Sequence, residues 1–328
     1  MSSARTPALP WNDPRGRFSP MKALVFGLLL LPGVWMIWTL VAAAPDMPQQ
    51  PGPGIGLQGL PDRGLLGPGG PAGGIDEAGL SVPQVKETLL LAGLWAVRLL
   101  TLSLLVTPLK LSLGRPKIGQ LRRMIGVAAG LYTLAHFGLY LVWMKLDLAR
   151  IASEIWLRTY LTIGFVAVLI LAALLATSTD GMAKRLGGRA WKRLHKTVYA
   201  AALLGALHFF MQTRLEPGEA TILAGILGWA ALWRLADARR PGWVRGVPGL
   251  VGLALAAGLL TVGIEAAWFA FGTSLDPGRV VAANLMPDVF PRPAAVVAMA
   301  GLGIVGLHLA VRPRPRAQPA RPRRNSVA

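Results

Sequence analysis

The sequence predicts an all-α polytopic membrane protein, a bundle of eight transmembrane helices. Three observations carry that prediction. Of 328 residues, 53% are hydrophobic and only 15% charged, whereas a soluble domain carries about 25% charged residues. The apolar residues gather in eight stretches, at 23–44, 88–108, 124–144, 155–176, 194–211, 220–236, 249–271 and 293–311, which together cover half of the chain. Lys and Arg are shared very unequally between the alternate connections of those stretches. This composition excludes an ordinary soluble enzyme and a disordered chain. The absence of Cys excludes disulfide frameworks, thiolate zinc sites and Cys-ligated iron–sulfur clusters.

About 20 apolar residues cross a bilayer as a helix. Lipid offers the backbone no hydrogen-bond partners, so spans are helices or closed barrels. Barrel strands show as short alternating segments, which the sequence lacks. The first stretch, 23–44, ends in Ala42-Ala43-Ala44, a small-residue pattern like a signal-peptide cleavage site. A signal core is roughly 7–15 residues long, however, and Pro45 follows directly, so 23–44 reads as an uncleaved span. The loop at 45–84 holds 8 Pro and 11 Gly, the composition of a flexible linker rather than a packed unit. The stretches at 88–108, 124–144, 155–176, 194–211 and 220–236 complete a six-helix core over 23–236. Two further spans lie in 237–311, between a 1–22 N-terminal tail and a basic 312–328 tail.

With the N-terminus inside, the inner connections hold 25 Lys and Arg and the outer ones 8, while Arg98 lies within a span. That split fits the positive-inside rule with both termini cytoplasmic. The net charge of +19 is thus accounted for by topology, and nucleic-acid binding is not expected. The tail RPRPRAQPARPRR meets anionic lipid at most and otherwise serves to fix orientation.

Ionisable groups within spans are costly and mark function. The chain has four His: His136, His195, His208 and His308. At 1.5 Å per residue, His136 lies about 18 Å and His208 about 21 Å into spans that enter from the inside. Two neutral imidazoles at one level on two helices suit the axial positions of one haem iron, held between helices as bundle cofactors are. Small residues precede both, Gly126, Ala128, Ala129 and Gly130 in one span and Ala200–Ala202, Gly205 and Ala206 in the other. Zinc suits the pair less, because no carboxylate or thiol completes a tetrahedron. His195 sits at the inner edge of the fifth span. Thirteen residues separate it from His208, a rotation of about 220° along an ideal helix. Arg122, 14 residues before His136, is no axial ligand. One haem is expected, with His195 a second candidate position. The inner basic cluster includes Arg122, Arg123, Arg189 and Arg193, which suit the phosphate of a flavin or haem carboxylates. Arg98, near mid-membrane, calls for a propionate or carboxylate, with Glu265 as the structural alternative. His308 reads as structural.

The runs RRMIGVAAGLYTLAHFGLY at 122–140, RTYLTIGFVAVLILAALLATS at 158–178 and RLGGRAWKRLHKTVYAAALLGALHFF at 185–210 resemble the MsrQ (YedZ) family, the haem-binding membrane subunits of the bacterial protein-methionine-sulfoxide reductase system. That family belongs to the ferric-reductase-like transmembrane group. The resemblance spans roughly 23–236 and is most specific from Trp191 through His195 and Tyr199 to His208. It implies an inner-membrane six-helix core binding haem b and, in some members, FMN. It also implies electrons drawn from the quinone pool or a cytosolic flavin reductase, and a periplasmic molybdopterin-dependent partner that reduces methionine sulfoxide. By motif, His136, His195 and His208 occupy the family's haem-associated positions. The 45–84 loop, the two C-terminal spans and the basic tail depart from the common pattern.

Other readings remain open at this level. A ferric or cupric reductase or a superoxide-producing oxidase commonly carries its own nucleotide-binding domain, and no G-x-G-x-x-G unit follows the spans. A cytochrome b subunit of a dehydrogenase would reverse the electron direction. A transporter or scaffold without haem usually shows inverted repeats or broken mid-membrane helices, which are not evident here.

Overall fold

The computed structural model describes residues 10–12, 17–41, 82–213, 216–273, 275–286 and 291–311. Apart from its last three residues, the Pro/Gly-rich 45–84 segment lies outside these, as does the basic 312–328 tail. The helices are α1 (Pro20–Val41), α2 (Val82–Ser112), α3 (Leu121–Trp143), α4 (Leu148–Leu157), α5 (Thr159–Ala176), α6 (Asp180–His195), α7 (Val198–Gln212), α8 (Gly218–Arg239), α9 (Val247–Gly272), α10 (Pro277–Ala283) and α11 (Pro293–Val311). No strand forms among the described residues, and the protein is an all-α polytopic membrane bundle.

Seven of these helices are long and apolar enough to cross a membrane: α1, α2, α3, α5, α8, α9 and α11. Their outward faces carry Leu24, Leu31, Trp35, Trp38, Leu259 and Leu309, exposed as lipid contact requires. The helix expected over 194–211 starts later than the sequence suggests. Leu194 and His195 end α6, and α7 starts afresh at Val198. With 15 residues, α7 is about 22 Å long, short of the roughly 30 Å hydrocarbon thickness. The cause is local. Lys196, Thr197 and Tyr199 donate to carbonyls three residues back, and the Thr197 hydroxyl bonds the Leu194 carbonyl at 2.7 Å. These tight turns replace regular α-helical bonds at the junction. Within α6, Gly187 takes φ 73°, ψ 150° and kinks the helix, an extended left-handed geometry that side chains disfavour.

α2 is the spine. One face packs on α1, α3 and α7, with Leu99, Leu100, Leu104, Ile125, Ala129, Leu171 and Ala201 in one core cluster. The other face meets α8, and α8, α9 and α11 share a second cluster around Trp229, Trp233, Leu250 and Val297. α2 and α8 run parallel in a fixed register, because Arg98–Glu219 and Ser112–Trp233 carry the same offset of 121 residues. His308 of α11 is buried, and its Nδ1 bonds the Ser112 carbonyl at 2.6 Å, tying the last helix to the spine.

α9 and α11 touch closely at Gly301, where a Cβ would lie 2.7 Å from the Ala254 Cβ and 2.9 Å from its Cα. Small residues allow such approach between membrane helices. Gly301→Leu is therefore expected to destabilise the protein by about 1–3 kcal/mol through overpacking, read by unfolding in detergent. Unchanged stability would show that the two helices part without cost.

Candidate functional site

α3 lies against α2, and α7 lies against α5. Ala129 of α3 and Ala201 of α7 are fully buried, and Gly130 lets α3 approach α5, where a Cβ would sit 3.3 Å from Leu175. Val85, Leu89, Tyr140, Trp143 and Ile151 from α2, α3 and α4 pack together at one end of the bundle. This packing sets His136 of α3 opposite His208 of α7. Their ring centroids are 6.3 Å apart, with planes inclined at 74°.

Each imidazole is held from behind in the same way. His136 Nδ1 lies 2.8 Å from the Leu89 carbonyl on α2, and His208 Nδ1 lies 2.8 Å from the Tyr160 carbonyl on α5. A carbonyl only accepts, so Nδ1 carries the proton in both rings, and Nε2 keeps its lone pair. That is the arrangement of metal-ligating His, whose second nitrogen is normally fixed by a carbonyl or carboxylate.

The spacing fits a shared ion. With metal–nitrogen bonds of about 2 Å and about 1 Å more from each nitrogen to its ring centre, two imidazoles on one ion have centroids about 6 Å apart. Among the described residues no group of three or more His, Asp or Glu is placed to enclose a metal. The remaining donors therefore have to come from the metal's own ligand, and a planar macrocycle supplies four. The Tyr160 ring lies 6.3 Å from His208, and Phe137 and Phe165, which follow His136 and Gly164 in the chain, pack on each other with centroids 5.6 Å apart.

The inner cluster is less uniform than its sequence. His195 stacks on Trp191 with centroids 3.8 Å apart, and its Nδ1 is 3.1 Å from the Trp191 carbonyl. Its buried Nε2 has no partner among the described residues, and Arg122 lies within electrostatic reach. Arg123 is already engaged by Asp180, 2.5 Å away. Arg189 and Arg193 are exposed on α6.

Arg98 binds Glu219 at the start of α8 through both Nε and Nη2 and lies 5.2 Å over the Trp95 ring. Glu265, the expected structural alternative, is corrected: it bonds Arg292 and Asn284 instead. It sits on α9, whose neighbours are α8, α10 and α11, whereas the helix beside Arg98 is α8. Sequence reasoning missed the two backbone carbonyls, which carry no side-chain signature. It also missed Arg234, which donates to the Leu104 and Ala230 carbonyls and stacks on Tyr199. As an intramembrane cation, Arg234 was visible in the sequence but was counted with the inner connections.

Residues 92–206 match the family described as "Ferric reductase like transmembrane component", a segment that holds His136 and His195 and stops just short of His208. The chain is 35% identical over 205 residues to the protein-methionine-sulfoxide reductase heme-binding subunit MsrQ of Brucella anthropi, covering 62% of this chain and 83% of that one. It is 36% identical over 194 residues to the subunit of the same name from Deinococcus radiodurans, covering 55% and 96% respectively. With the Rhodospirillum rubrum protein of that name it shares 40% identity over 149 residues, 45% of this chain and 72% of the other. No solved structure gives a significant match.

Proposed function

The chain belongs to the MsrQ family, and from that premise we propose that it is a haem-binding electron-transfer subunit of a bacterial inner membrane. It would pass electrons from the cytoplasmic side or the quinone pool to a periplasmic molybdopterin-dependent methionine-sulfoxide reductase subunit. The observation that carries the reading is the His136–His208 pair, 6.3 Å between centroids, with each Nδ1 tied to a carbonyl and each Nε2 free to bind.

Haem b bound there would supply one-electron chemistry at its iron. The chain's own part is to hold and tune. His136 and His208 offer two neutral donors, and the Leu89 and Tyr160 carbonyls fix their tautomers and raise their basicity. Tyr160 packs beside His208. Arg98 and Glu219 cancel each other's charge within the bundle.

At the inner face, His195 is the second candidate position. Arg122, Arg189 and Arg193 are the cations that suit FMN or haem carboxylates, and the charge of Arg123 is balanced by Asp180. Both termini face the cytoplasm in this reading, with 45–84 on the periplasmic side. The donor is a quinone or a cytosolic flavin reductase. A metal reductase is the second reading, favoured by the ferric-reductase-like match over 92–206.

A reduced-minus-oxidised absorption spectrum of the purified protein tests the proposal. A b-type α band with one haem per chain is the expected result. A protein that carries no haem after expression with adequate haem supply overturns it.

A further inference from the structure

We propose that Gly93 and Gly164 are positioning residues for the two imidazoles, setting the plane of each ring independently. The inference rests on the haem reading above, because it concerns how the same pair is aimed.

In each case the ring reaches a helix carbonyl across the residue four positions further on. Leu89 and Tyr160 are the acceptors, and Gly93 and Gly164 are the residues at i+4. In a regular helix the amide of residue i+4 already donates to the carbonyl of residue i, so the imidazole uses the second lone pair and must lie flat over the i+4 position. A Cβ at Gly93 would stand 2.8 Å from Nδ1 and 2.9 Å from Cε1 of His136. A Cβ at Gly164 would stand 2.7 Å from Nδ1 and 2.8 Å from Cε1 of His208. The same arrangement occurs twice, on different helix pairs.

The nearest atoms to both sites all belong to the imidazoles. A methyl group there displaces the ring and leaves the helix backbone on its course. Glycine inside a helix is less favourable than alanine by about 1 kcal/mol, so these positions accept a local cost for which the ring supplies the reason. Because α2 aims one ring and α5 the other, the planes are set separately, and they stand 74° apart. Axial imidazoles close to perpendicular give low-spin ferric haem a strongly anisotropic EPR signal, whereas parallel ones give a rhombic signal.

The test uses the full-length protein purified with its haem, with Gly93→Ala, Gly164→Ala and, as control, Gly263→Ala, where a Cβ meets nothing within 4 Å. The wild type and control are expected to show the strongly anisotropic signal. The two site variants are expected to lose it, to shift in midpoint potential, and to bind haem about 10–100-fold more weakly, as when outer-shell partners of metal ligands are disturbed. Wild-type EPR, potential and occupancy in both variants overturn the inference.

A second measurement needs no haem. In a His136→Ala background the obstructing ring is gone, so adding Gly93→Ala is expected to be neutral or stabilising in detergent unfolding. Equal destabilisation in both backgrounds assigns Gly93 to helix packing and overturns its positioning role. A wild type that carries no haem refutes the proposed function instead, and the paired unfolding measurement still decides the glycine's role.

Discussion

Alanine at either His136 or His208 is expected to abolish the main haem signal of the purified protein, while alanine at His195 leaves it in place. The two rings face each other at 6.3 Å and are held by separate carbonyls on α2 and α5. Removing one therefore takes away one axial donor and leaves the other ring where it was. His195 is built differently. It ends α6, stacks on Trp191 and bonds the carbonyl of its own helical turn, so its loss disturbs neither ring of the pair. Absorption and EPR spectra of the three variants, normalised to folded protein by size exclusion, make the comparison. Exogenous imidazole is expected to restore low-spin character to His136→Ala or His208→Ala, because truncation opens a space of its own shape. Equal loss in all three variants would show that the one-haem assignment is wrong. An unchanged spectrum in His136→Ala would place the haem elsewhere.

The helices were legible in the sequence because lipid forces long apolar runs, and α1, α2, α3, α5, α8, α9 and α11 follow from that constraint alone. The break between α6 and α7 was not. HKTVYAAALLGALHF lies within what reads as one continuous span at 194–211, and only the hydrogen bonds of Lys196, Thr197 and Tyr199 show that the chain tightens there. The rotation of about 220° expected between His195 and His208 assumes one regular helix, a premise this junction removes.

The site divides along the same line. His136 and His208 stand out as polar residues within spans. Their carbonyl partners are backbone atoms, and Gly93 and Gly164 look like the other small residues of a membrane protein. Arg98 was conspicuous as a lone cation in a span. Finding its partner required the parallel register of α2 and α8, which brings Glu219, the residue before the 220–236 stretch, alongside the middle of α2. Pairing registers between distant helices leave no mark on composition or periodicity.

Glu265→Ala is expected to destabilise the protein by about 3–5 kcal/mol, the cost of leaving a buried ion pair without one partner. The Glu265 side chain is only 6% exposed and the Arg292 side chain 23%. Its Oε1 accepts from Arg292 Nη2 at 2.8 Å and its Oε2 from Asn284 Nδ2 at 2.9 Å, so one carboxylate ties α9 to the end of α10 and to the segment leading into α11. Water cannot easily replace it, since Arg292 Nε and Asn284 Oδ1 are already buried without partners. The contrast is the Arg123–Asp180 pair, whose side chains are 55% and 83% exposed; Asp180→Ala is expected to cost no more than about 1 kcal/mol. Replacing Glu265 and Arg292 together with leucine removes both charges and is expected to recover most of the loss, because well-packed apolar groups often replace a buried pair at little cost. Detergent unfolding of the single and double variants reads all three values. A Glu265→Ala protein as stable as the wild type would mean that Arg292 reaches water or lipid headgroups when released, and that α10 is not held to the bundle by charge.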